Sequence, residues 1–226
     1  MKCPFVYMTI ITAVLVTSGC SSQKGDPVAD YFWPLKKGQI FTYELEGGGK
    51  HIIKLSEVTQ ESNGNFQVST EEEIVETNLP VNAPMKDHFR IDLKNNVIYR
   101  STQSGAAPPK EAIYLKGPIR RGVEWIFSWN FSGMTVIDES SGTSERKTEG
   151  EKGTGVCKIE ALRAMGILGK EIPCAEAKCT ISPKRAIYYN RMFYCKGVGY
   201  VGTQASALIN GKETEPTWMD KLIEMR

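Results

Sequence analysis

Apolar and polar positions alternate along most of this chain. That period of two puts successive side chains on opposite faces of a strand. Ile40-Phe41-Thr42-Tyr43-Glu44-Leu45 is rich in β-branched and aromatic residues and stops at Gly47-Gly48-Gly49. His51 to Val58 reads as its hairpin partner, and Asn63-Gly64-Asn65 marks a turn into Phe66 to Ile74. His88 to Leu93 alternates cleanly, turns through Lys94-Asn95-Asn96 and resumes as Val97 to Arg100. Further strands are expected at Ala112 to Leu115, Glu124 to Asn130, Met134 to Ile137, Val156 to Leu162, Glu171 to Ser182, Tyr188 to Tyr194 and Tyr200 to Leu208. Thr217 to Met225 suits either a helix carrying Trp218, Leu222 and Met225 or a closing strand. Many short strands with turn signals at close intervals predict an all-β barrel or sandwich.

Two stretches interrupt the alternation. Asp138 to Gly155 is dense in Ser, Thr, Glu, Lys and Gly and has no large apolar residue, so a long mobile hairpin loop is expected there. Ser21 to Ala29 is small and polar and reads as a flexible tether. Ahead of it, Met1-Lys2 is a short positive start and Pro4 to Thr17 is uncharged and mostly apolar. That is the pattern of a secretory signal peptide, too short to span a bilayer, and less well explained as an uncleaved anchor. The expected organisation is a signal peptide over residues 1–19, an acylated tether over 20–29 and one β-rich domain over 30–226.

Val16-Thr17-Ser18-Gly19-Cys20 resembles the lipobox of bacterial lipoproteins, with Thr17 where Leu is usual. The resemblance implies cleavage before Cys20, a diacylglycerol on its sulfur and an N-linked acyl chain. Ser21 at the next position implies sorting to the outer membrane, facing the periplasm. One buried acyl chain anchors marginally, whereas two or more hold firmly.

Composition narrows the rest. Lys plus Arg total 28 against 26 Asp plus Glu, which points to no nucleic-acid partner. Of the 6 cysteines, Cys3 leaves with the signal and Cys20 takes lipid. Cys157, Cys174, Cys179 and Cys195 remain, and an exported chain favours two disulfides over a zinc site, whose paired C-x2-C spacing is missing. If 156–174 and 179–195 each form a hairpin, turning through Arg163 to Lys170 and Pro183 to Tyr189, the bridges would be Cys157–Cys174 and Cys179–Cys195. The rival scheme is a local Cys174–Cys179 bridge with Cys157–Cys195, helped by a strand break at Pro173.

Pro34-Leu35-Lys36-Lys37-Gly38-Gln39-Ile40-Phe41 is echoed by Pro118-Ile119-Arg120-Arg121-Gly122-Val123-Glu124-Trp125. Proline sets the approach, glycine allows a positive-φ turn, and the aromatic opens a strand. A single turn device used twice explains this better than a duplicated half-domain, because the likeness stops after the turn. With Asp30-Tyr31-Phe32-Trp33 before the first copy and Phe193-Tyr194-Cys195-Lys196-Gly197-Val198-Gly199-Tyr200-Val201 near the end, the chain resembles uncharacterised β-rich envelope lipoproteins that repeat this element. Trp33 is an insertion relative to their pattern. The resemblance implies a strongly curved antiparallel sheet, an open barrel or half-barrel, and no activity.

Chemistry is sparse. His51 and His88 lie in strand-like runs with no metal-ligand spacing. There is no nucleophile elbow, and Gly47-Gly48-Gly49-Lys50 reads as a hairpin turn rather than a phosphate cradle. Gly197-Val198-Gly199 lacks the third glycine of a dinucleotide fingerprint. Glu71-Glu72-Glu73 reads as a solvated edge, since neighbours on a strand face opposite ways. Lys36-Lys37 and Arg120-Arg121 would form a basic rim facing lipid headgroups if both turns lay at one end, although solvated turns are commoner. Tyr31-Phe32-Trp33 is expected to plug the core. Catalytic residues, metal and cofactor are therefore expected to be none.

The function expected is a non-enzymatic envelope lipoprotein that binds or assembles with lipid, peptide or another envelope protein. A hydrolase or lyase working through unidentified carboxylates is the alternative. An apolar concave face would favour the first, and convergent buried ionisable groups the second.

Overall fold

The structure, a computed structural model, describes residues 25–75, 85–103, 111–131, 135–136, 147–148, 151–182 and 187–226. A single 3₁₀ turn, Val28–Tyr31, precedes the strands. The first run is β1 (Ile40–Leu45), β2 (Lys50–Gln60), β3 (Phe66–Val75), β4 (Met85–Asp92), β5 (Val97–Gln103) and β6 (Ala112–Lys116). The second comprises β7 (Glu124–Phe131), the short β8 (Thr135–Val136) and β9 (Lys147–Thr148), then β10 (Glu151–Ile167), β11 (Lys170–Ile181), β12 (Ile187–Cys195), β13 (Gly199–Ile209), β14 (Lys212–Glu213) and β15 (Thr217–Met225).

These form one antiparallel sheet in the order β6-β5-β4-β3-β2-β1-β15-β13-β12-β11-β10-β7, with β14 on β13 and the β8–β9 ladder separate. Sequence neighbours are spatial neighbours almost throughout, so the chain is an up-and-down meander rolled into a nearly closed barrel. The first and last strands close it: Phe41 pairs with Met225 and Tyr43 with Leu222. The seam falls mid-chain, between β6 and β7, where no ladder forms. Residues 117–123 cross the seam, and Asp26 forms an isolated bridge to Ile119 beside it. The all-β expectation of a strongly curved sheet holds, and Thr217–Met225 is a strand.

The two proline-glycine turns do the same work. Gly38 N donates to Leu55 O (2.8 Å) and Leu55 N to Gln39 O (2.9 Å); Gly122 N donates to Ile159 O (2.8 Å) and Ile159 N to Val123 O (2.9 Å). The likeness continues past the turn, because β2 carries a bulge between Leu55 and Glu57 and β10 one between Ile159 and Ala161. Thus the two halves share strand-level geometry where their sequences no longer match.

One end of the barrel is packed with aromatics. Tyr31, Phe32 and Trp33 are all buried. The Trp33 ring lies 5.5 Å from Phe41 and 5.4 Å from Phe89, and its Nε1 donates to the Tyr43 hydroxyl at 3.1 Å. Gly199 must be glycine here, since a Cβ would come within 2.5 Å of the Trp33 backbone nitrogen. Of the tether expected over 20–29, residues 20–24 lie outside the described residues, and residues 25–29 are packed on the barrel. Val28 is fully buried, and Gly25 packs so closely on Ile119 that a Cβ would meet its carbonyl oxygen at 2.7 Å.

Two other expectations are corrected. Of the loop expected over Asp138 to Gly155, residues 138–146 and 149–150 lie outside the described residues. Lys147–Thr148 is strand, and Glu151 to Gly155 belong to β10, paired with Phe131 to Phe127. Pairing to β7 supplies hydrogen bonds that composition cannot reveal. The disulfides are Cys157–Cys179 and Cys174–Cys195, neither of the two schemes derived from the sequence. The expected turn was too early. Strand β10 runs on through Arg163 to Ile167, and the reversal comes at Leu168-Gly169, both with positive φ. That places Cys157 opposite Cys179, and Cys174 opposite Cys195. Pro173 sits in the ladder opposite Ala164 and breaks nothing.

Candidate functional site inside the barrel

Beyond the aromatic plug the interior becomes polar. Strand alternation explains which side chains arrive there. Phe41 and Tyr43 face inward from β1, so do Val68, Thr70 and Glu72 from β3, and Asp87, Phe89 and Ile91 from β4; each is at least nine-tenths buried. Arg100 stands opposite Phe89 and holds its guanidinium 5.9 Å from that ring.

A cluster of ionisable groups forms where β2 to β5 meet. His51 Nε2 lies 3.0 Å from Glu72 Oε2, and the Thr70 hydroxyl donates to Glu72 Oε1 at 3.1 Å. Arg100 makes a close charge-assisted pair with Asp87. Burial pushes the Glu72 carboxyl up, but His51, Arg100 and Asp87 together outweigh it and hold it below the usual glutamate range. Burial likewise opposes the charge on Arg100, and Asp87 and Glu72 overcome it. Although Asp87 is almost wholly buried, 41% of the Arg100 side chain is accessible, so solvent reaches the interior at this level.

The neighbouring strands β13 and β15 carry a second cluster, joined to the first through Tyr43 on β1. The Tyr200 hydroxyl donates to the Asp220 carboxylate (2.7–2.8 Å) and meets Thr203 Oγ1 at 2.6 Å, while Thr203 N donates to Asp220 Oδ1 at 2.7 Å. Here burial wins, and the Asp220 carboxyl is raised above the ordinary aspartate range. Tyrosines join the clusters: Tyr43 packs 6.0 Å from His51 and 5.5 Å from Tyr200, and Tyr194 packs 5.5 Å from Tyr114 and 5.9 Å from Tyr200. Burial pushes the hydroxyls of Tyr43, Tyr114, Tyr194 and Tyr200 well above their usual range, so all four remain neutral donors. The arrangement can offer hydrogen bonds and ring faces to a polar guest, and Asp220 can hold a proton. It is not a bare hydrocarbon sleeve.

The reading of Glu71-Glu72-Glu73 as a solvated edge is therefore corrected for its middle member. Strand β3 is internal to the sheet, and Glu72 is the residue of the three that points inward. Only the partners on β2, β4 and β5 make that visible. His88 is elsewhere, its Nδ1 2.9 Å from Ser69 Oγ. Gly47, Gly48 and Gly49 form the β1–β2 turn with positive φ, and Gly197 to Gly199 join β12 to β13. Cys20 lies outside the described residues. Among the described residues no group of three or more metal-ligating side chains converges.

No family model and no curated protein matches the sequence. Two solved structures share the fold, each matched over 86% of this chain and 98% of their own length. One, from Bacteroides fragilis, is a protein inferred to be exported, with a YmcC-like fold (TM-score 0.57, 10% identity). The other, from Parabacteroides distasonis, is an inferred lipoprotein (TM-score 0.53, 13% identity). At these identities the likeness is one of fold.

Proposed function

We propose that this chain is a lipid-anchored protein of the bacterial outer membrane, facing the periplasm, with a binding or assembly role rather than an enzymatic one. The observation that carries the reading is the path of the N-terminus. Gly25 and Asp26 are fastened to Ile119 at the barrel rim, so Cys20 lies only a few residues from a fixed point on the wall. A rigid barrel on so short a leash suits an anchored receptor or scaffold. Its guest would be lipid, peptide or another envelope protein, met through the tyrosine-rich interior or the outer wall. The interior holds convergent buried ionisable groups rather than an apolar lining, the pattern expected of an enzyme; what supports a non-enzymatic role is that each carboxyl is held by a partner, Glu72 by His51, Asp87 by Arg100 and Asp220 by Tyr200.

Metabolic acyl labelling tests the anchor. Wild type takes label and Cys20→Ser does not; equal labelling of both sinks the anchor. Purification from membranes in mild detergent, followed by mass spectrometry, tests the binding role through a retained guest.

The raised Asp220 carboxyl beside Tyr200 favours a second reading, a hydrolase or lyase using interior carboxylates. Turnover of envelope-derived substrates that is abolished by both Asp220→Asn and Glu72→Gln would establish it.

A further inference from the structure

We propose that the barrel end where the tether arrives is a docking face for an anionic bilayer surface, with Lys36, Lys37, Arg120 and Arg121 as its contacts. The proposal rests on the anchor reading at Cys20 and adds to it an orientation and a lipid charge.

Topology puts the two basic pairs at one end. From β1 to β7 the sheet path β1-β15-β13-β12-β11-β10-β7 takes only antiparallel steps, an even number of them, so both strands run the same way. The turns that lead into them, 34–39 and 118–123, therefore share a rim. Because β1 and β7 are half the sheet apart, the pairs stand on opposite sides of that rim rather than in one spot.

The four side chains are exposed, and among the described residues none forms an ion pair. Several acids at this end are engaged, while Glu57 beside the first turn and Glu160 beside the second are exposed. Asp26 and Asp30 hold Lys196 at 3.0 and 3.5 Å, Glu224 holds Arg226, and Asp92 holds Arg90 and Asn95. Glu61 is capped by Asn63 and Gln67. Exposed Glu171 is flanked by Lys170, and Lys94 is exposed on the turn beside Asp92. Each turn thus presents two exposed cations against one exposed glutamate, a local excess of positive charge.

The tether brings that charge to the membrane. Gly25 lies against the Ile119 carbonyl with Arg120 next to it. The peptide steps from Cys20 to Gly25 span at most about 17 Å when fully extended. The field of an anionic leaflet decays over about 8 Å at physiological salt. The leash therefore lets the rim enter that field, and each basic residue brought close favours contact about fivefold.

The test uses the acylated protein purified from membranes and reconstituted on vesicles of phosphatidylcholine, alone or mixed with phosphatidylglycerol. Brief acetic anhydride treatment and mass spectrometry read lysine reactivity. On anionic vesicles Lys36 and Lys37 should react at least fivefold more slowly than on zwitterionic ones. Lys212, at the other end of the barrel, should not change, and 0.5 M salt, roughly a 4 Å screening length, should erase the difference. Arg120→Gln with Arg121→Gln should restore most of the Lys36 and Lys37 reactivity. Equal rates on both vesicles, or slowing of Lys212 alongside the rim, overturn the proposal. Flotation with phosphatidylcholine vesicles in high salt reads the anchor separately. If that flotation fails, the anchor reading falls, and salt-sensitive flotation with anionic vesicles alone then decides for or against the rim.

Discussion

Leu55 and Ile159 hold the same station in the two halves of the barrel: each accepts a hydrogen bond from a positive-φ glycine and donates one to the residue that follows it. Gly38 and Gly122 have φ of 84° and 88°, with nothing within 4 Å of where a Cβ would stand. Gly38→Ala and Gly122→Ala should therefore act through backbone conformation alone, each costing about 1 kcal/mol. Urea unfolding of the single variants checks this; a cost confined to one turn would show that the two are not used alike.

The disulfide arrangement is read most directly after trypsin without reduction. The linked products expected are Gly153–Lys158 with Cys179–Lys184, and Glu171–Lys178 with Met192–Lys196. A peptide linking Cys157 to Cys174 would return the pairing to the hairpins first expected. Replacing Cys157 and Cys179 together by Ala opens a loop with a sequence separation of 22 and should cost about 3 kcal/mol in the chain-entropy picture.

Those bridges show where the sequence could be read and where it could not. Strand positions were legible because alternation survives in nearly every segment, and the aromatic plug because Tyr31-Phe32-Trp33 leaves few other uses for three adjacent large rings. The β10–β11 reversal was not legible: Leu168 takes a positive φ that its residue type disfavours, and Arg163-Ala164-Met165-Gly166 shows no clean alternation while continuing the ladder. The interior cluster was hidden for a different reason. Glu72, Asp87 and Arg100 sit on different strands, and each looks solvated until the register brings them together.

Two interior carboxyls should give opposite pH responses. Glu72 is held below its ordinary range, so its contribution to stability is present above that range and is lost as pH falls through the depressed folded value. Asp220 is held above its range, so the stability it confers is present at low pH and is lost as pH rises through the raised folded value. Glu72→Gln should cost about 2 kcal/mol at pH 7 and flatten the acid side of the stability profile. Asp220→Asn should instead gain on wild type as pH rises from 3 to 7. Parallel urea titrations across that window decide it, and matching slopes for the two variants would rule the assignment out.

Two buried indoles differ in what their nitrogens find. Trp33 Nε1 donates to the Tyr43 hydroxyl, whereas Trp125 Nε1 is buried and meets no hydrogen-bond partner among the described residues. Trp33→Phe removes a satisfied bond and should cost about 1 kcal/mol more than Trp125→Phe, which removes a donor that had none. Thermal or urea midpoints of the pair give the comparison, and a larger loss for Trp125→Phe would contradict it.

The pairing of Phe41 with Met225 carries a consequence for the order of events in the cell. A shell whose first and last strands are partners has to wait for its own end. The chain can zip β1 to β6 as soon as they are made, because those ladders join neighbours in sequence. Closure between β1 and β15 spans nearly the whole domain and carries the slow kinetics of non-local pairing. Until β15 is in place, β1 offers an open edge to any other strand it meets, and that interval, more than the stability of the finished barrel, is when this protein is most exposed to mispairing.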